Sequence, residues 1–177
     1  MVKTISLEWL QSQGACKEAI EAWHKEIDHG TLATLNRLVV KNPEWGNWLI
    51  CRIMNKNQSV QYAVFAAEQV IDIYEGKYPN DKRPRNAIEA AKAYLKNPSK
   101  KTKADAAYAA AYADDAYAAA YADAAYAAYA AACAGYVAYA DAGYADYTDA
   151  CYAANERRKM KAKILKYGIG LLKQEGV

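Results

Sequence analysis

Between Ala104 and Ala154 the chain has no lysine, arginine, proline, leucine or isoleucine. Without leucine or isoleucine this stretch builds no ordinary aliphatic core, so its tyrosines supply nearly all of its buriable surface. Without a basic residue, its seven aspartates give it a net charge of −7. Alanine, tyrosine and aspartate alone support no established catalytic or cofactor chemistry. The rest of the chain is equally short of enzyme signatures: no Gly-rich phosphate loop, no G-x-S-x-G, no H-E-x-x-H, and no cysteine with an evident histidine partner. Strand-like alternation is absent, and no apolar run approaches the roughly 18 residues of a membrane span. Cys16, Cys51, Cys133 and Cys151 show no Cys-x-x-Cys spacing. Met1 to Ile5 opens no apolar core of the length a secretory leader needs. Together these features predict a cytoplasmic chain with free, buried thiols, no cofactor, no bound metal and no membrane association.

What is present in the tract is a degenerate repeat. Asp105, Asp114 and Asp123 are nine apart, as are Tyr108, Tyr117 and Tyr126. Alanine is the strongest helix former, so the tract is predicted helical. Nine residues make about 2.5 helical turns, so successive units point to opposite sides. Aromatics on two faces predict a helix sandwiched between neighbours. After Gly135 the unit shortens to eight residues, as in Tyr136 and Tyr144. Two phases predict two helices joined near Cys133-Ala134-Gly135, with one uninterrupted rod as the alternative.

Helix punctuation is legible before the tract. Ser6 caps a predicted helix over Leu7–Gln13, ended by Gly14. Cys16, Ala19, Ile20, Trp23 and Ile27 follow helical spacing up to Gly30. Thr31 caps Leu32–Val40, and Asn42-Pro43-Glu44 opens a helix carrying Trp45, Trp48, Leu49 and Ile53. Ser59 caps Val60–Glu75, closed by Gly76. Pro84 stands in a first turn before Ala87–Lys96. The fold class is therefore all-α: a single domain over residues 1–177, built as a compact bundle of short helical hairpins (1–98) with two long Ala/Tyr-rich helices (99–177).

Charge is laid out in blocks. Residues 1–103 are net +5 and residues 155–177 net +5, on either side of the acidic tract. Such blocks interleave as solvated helix faces or offer an acidic strip to a basic partner. His24 and His29 are five apart and miss the three- or four-residue spacing of helical metal ligands. Trp45 and Trp48, three apart on one face, are either core or an interface anchor, with Trp45 better placed for exposure. Arg83 and Arg85 stand at a helix start, against the dipole preference. Either they clamp an anion there, or they pair with an aspartate of the tract and fix how the two halves dock. The basic run Asn155–Lys163 continues a helix whose Met160, Ile164, Tyr167 and Leu171 form an apolar stripe. It has no stacking motif beside it, which argues against nucleic acid as the ligand.

Three segments carry a resemblance: Ala15-Cys16-x-x-Ala19-x-x-x-Trp23, Trp45-Gly46-Asn47-Trp48-Leu49, and Arg83-Pro84-Arg85-x-Ala87-Ile88-Glu89 followed by the alanine-rich tract. In this order they resemble the immunity protein family of bacteria and phages, across nearly the whole chain. The resemblance implies a non-enzymatic inhibitor that neutralises a toxin or effector by binding it. Its expected contact surfaces are Trp45 and Trp48 together with the acidic tyrosine-rich face, represented by Tyr112, Tyr121, Asp114 and Asp115. A sponge for a nucleotide-like anion, with Arg83 and Arg85 as the clamp, and a self-assembling structural role are the competing readings.

Overall fold

The structure, a computed structural model, describes residues 5–25, 30–69, 71–119 and 150–174. Among these residues there are nine α-helices and no strand. They are α1 (Leu7–Ser12), α2 (Lys17–His24), α3 (Thr31–Lys41), α4 (Pro43–Ile53) and α5 (Lys56–Glu68), then α6 (Ile71–Lys77), α7 (Arg83–Lys96), α8 (Lys100–Ala119) and α9 (Ala150–Gln174).

Local chemistry sets most of the boundaries. The Ser6 hydroxyl accepts the Trp9 N–H at 3.2 Å, and Gly14 closes the first turn region with a left-handed φ of 73°. The Asn42 side chain accepts the Trp45 N–H at 3.1 Å, with Pro43 in the first turn of α4. Three starts differ from expectation. Gly30, not Thr31, is the N-cap of α3, and Thr31 is buried inside the helix. The predicted Val60–Glu75 helix is two helices, α5 and α6. Asn55, not Ser59, caps α5 through a reciprocal box with Gln58: each side chain accepts the other's backbone N–H at 2.9 Å. Ser59 lies inside the helix, where its hydroxyl donates to the Asn55 carbonyl.

The C-terminal helix organises the core. α9 packs against α3, α4 and α5. Its Ile164, Leu165, Ile169, Leu171 and Leu172 are buried with Leu35 and Val39 of α3, Leu49 and Ile50 of α4, and Tyr62 and Ala66 of α5. Each such aliphatic side chain contributes roughly 1.5–3 kcal/mol by leaving water. Phe65 and Tyr167 stack at 3.9 Å between centroids. Two lysines clip the exposed edge of the same contact: Lys161 reaches Glu44 and Lys163 reaches Gln69, both at 2.6 Å. A smaller cluster of Val64, Ala67, Ile71 and Ile88 attaches α7 to α5 and α6.

α7 and α8 form an αα-hairpin across Asn97-Pro98-Ser99. Ser99 and Thr102 exchange backbone-to-hydroxyl bonds at 3.0 and 3.1 Å, which starts α8. The first part of the tract is thus helical as predicted, but Tyr108 is 65% exposed rather than sandwiched. The predicted junction near Gly135 lies outside the described residues. Cys16 is exposed, against the expectation of buried thiols, because it occupies the cap before α2; Cys51 is half-buried.

Candidate functional site

Three places collect the residues of interest. At the corner between α6 and α7, Asp81 is the hub. One of its carboxylate oxygens accepts the Arg83 backbone N–H at 3.0 Å; the other accepts the Tyr74 hydroxyl at 2.8 Å and the Arg83 guanidinium at 2.6 Å. The Arg83 side chain holds Asp81 well below the usual carboxylate range. Tyr74 is buried, and desolvation together with its bond to Asp81 pushes the phenol up to about 12. Arg85 turns the other way. Its Nε donates to Glu75 at 3.0 Å, and its terminal nitrogen also lies 3.4 Å from Asp72. That pairing lowers the Glu75 carboxyl below its ordinary value.

The unusual pair of arginines at a helix start is thereby explained. Asp81 supplies the negative charge that the α7 N-terminus favours, and it does so from just outside the helix. Among the described residues, the carboxylates that meet Arg83 and Arg85 belong to α6 and the α6–α7 turn; the tract aspartates from Asp114 onward have side chains outside the described residues. A small anion entering here must displace Glu75 or Asp81 from charge-assisted bonds.

The second place is a trough between α5, α7 and α8, about 360 Å³ in volume. Its floor is Ala87, Ile88 and Ala91 of α7; one wall is Val60, Ala63 and Val64 of α5. The opposite wall is Ala106 and Ala107 of α8. Lys56 and Lys103 stand on the rim, and the Lys56 ammonium lies 5.5 Å over the Tyr94 ring. No sequence signal marked this trough, because its lining comes from three separate helices.

The third place holds the tryptophans. Both Trp45 and Trp48 are half-buried. Trp48 packs against the core, and the Arg52 guanidinium lies over its ring at 3.9 Å. Both line a smaller cleft of about 120 Å³ that also includes Trp23 and Leu38. Trp45 and Trp48 therefore share a surface, while Arg83 and Arg85 sit at a separate corner. Tyr112, Asp114 and Asp115 fall on α8, but their side chains lie outside the described residues, as does Tyr121 altogether.

Among the described residues no group of three or more His, Cys, Asp or Glu side chains is placed to hold a metal ion. No helix there is long and apolar enough to cross a membrane. The class defined so far is an all-α bundle in which two strongly shifted groups, Asp81 and Tyr74, are bonded to each other. Residues 49–169 match the family model described as Imm-5 like putative immunity protein, so the chain belongs to that family. The match begins at Leu49. It takes in the trough and the Arg83-Pro84-Arg85 corner but leaves the Ala15–Trp23 segment and both Trp45 and Trp48 outside. No curated protein and no solved structure matches the chain.

Proposed function

We infer that this chain is an immunity protein that neutralises a toxin or effector by binding it stoichiometrically, without catalysis. The family match over residues 49–169 carries this reading. The corner chemistry supports it: Asp81 and Glu75 with Arg83 and Arg85 are engaged in holding α6 against α7, an arrangement suited to rigidity rather than to proton transfer. The surfaces proposed to meet the partner are the half-buried Trp45 and Trp48 and the acidic tyrosine-rich face with Tyr112, Tyr121, Asp114 and Asp115. The tract, with seven aspartates and no base, complements a basic patch on the partner's surface and raises the association rate.

Affinity capture from the native host followed by native mass spectrometry tests the reading. The expected result is one defined protein partner in fixed ratio. A chain that arrives carrying a nucleotide-like anion and no protein supports the sponge reading instead and overturns this one.

A further inference from the structure

The trough between α5, α7 and α8 has the apolar lining of a helix-receiving groove among the described residues. α5 and α8 each pack on α7 and leave a channel between them, walled by small side chains that let another backbone approach. Val60 and Val64 of one wall, with Ile88 of the floor, offer an apolar surface of the kind that accepts anchors spaced three or four residues apart on an amphipathic helix. Among the described lining residues both charged side chains are lysines, Lys56 and Lys103, and none is a carboxylate. Asp105, two residues from Lys103, is exposed and outside the lining. Few polar groups converge inside, so little would orient a compact polar ligand. We propose that this trough receives an acidic amphipathic helix of the protein partner, its leucine-like face on Val60, Val64 and Ile88 and its carboxylates on Lys56 and Lys103. This rests on the binding reading above and adds the partner's chemistry to it.

Two synthetic helical peptides of about 15 residues, with the same leucine face but glutamate or lysine flanks, test it against the full chain by fluorescence anisotropy. The glutamate peptide is expected to bind at least about tenfold tighter, with affinity falling as salt rises. Lys56→Glu combined with Lys103→Glu should reverse the preference. Ala63→Leu fills the trough and should remove binding of the glutamate peptide while circular dichroism stays helical. Equal affinities, no saturable binding, or indifference to Ala63→Leu overturns the proposal. So does concentration-dependent dimerisation that competes with the peptide, since a second copy would then be the occupant. If the Ala63→Leu variant still neutralises its toxin as the parent does, the trough assignment fails and the immunity reading stands. If the parent neutralises no toxin, that reading fails, and the peptide titrations still decide the trough.

Discussion

Gln58 joins the start of one helix to the end of another: its amide donates to the Leu171 carbonyl at 3.1 Å while its carbonyl accepts the Asn55 N–H at 2.9 Å. Leu171 lies in the last turn of α9, where carbonyls have no partner within the helix. The bond is buried, so water offers no replacement. Gln58→Ala is expected to lower stability by about 1–3 kcal/mol, because two backbone groups lose their partner at once. The shift in denaturant midpoint at unchanged slope measures it.

Gly168 and Gly170 make a matched pair on α9. A Cβ at Gly168 would stand 2.6 Å from Ile50 Cδ1 and 2.7 Å from the Tyr62 ring. Ile50 can rotate its terminal carbon, but the Tyr62 ring is pinned through its hydroxyl to Asn47 at 2.7 Å. Gly168→Ala should therefore destabilise by about 1–3 kcal/mol, more than the roughly 1 kcal/mol that alanine gains over glycine in a helix. A Cβ at Gly170 meets nothing within 4 Å, so Gly170→Ala should raise the melting temperature. Thermal melts of the two variants should move in opposite directions.

Asp81 makes the fold sensitive to acid. Its carboxyl is a stronger acid folded than unfolded, held there by Arg83 and Tyr74. The stability this supplies is complete above the unfolded value near about 4 and is lost as pH falls toward the folded one. Asp81→Asn should flatten the acid limb of stability against pH and, because the carboxylate also helps raise the Tyr74 phenol, soften the alkaline limb as well.

Tyr74 contributes to the opposite limb, as do the raised Tyr62 and Tyr167. The Tyr74 phenol is raised to about 12, so the neutral form is favoured by the fold. That contribution is full below an unfolded value near about 10 and declines as pH rises through the folded value. Tyr74→Phe should reduce the alkaline dependence, read from denaturation midpoints across the range.

Helix identity was legible wherever capping chemistry was local. Ser6, Asn42 and Pro43 act where their sequence context places them, and the Met160, Ile164, Tyr167 and Leu171 stripe does face the core, with Ile164 and Leu171 buried. What stayed hidden depends on distant partners. Ser59 looked like a cap because it precedes an apolar run, yet Asn55 with Gln58 forms a reciprocal pair that a lone hydroxyl cannot match. The Arg83 and Arg85 partners could not be read from sequence, because the folding of α6 against α7 decides which carboxylate comes near. The trough is a property of three packed helices, with no motif of its own. The close approach at Gly168 is equally silent, since a glycine in a helix reads only as a weak propensity.

Titrating the purified toxin partner with this chain and following the partner's activity tests the central claim most directly. A linear fall that ends at one equivalent, unchanged by longer incubation, is the predicted result. Complete inactivation by a small fraction of an equivalent, progressing with time, would show turnover and contradict the account.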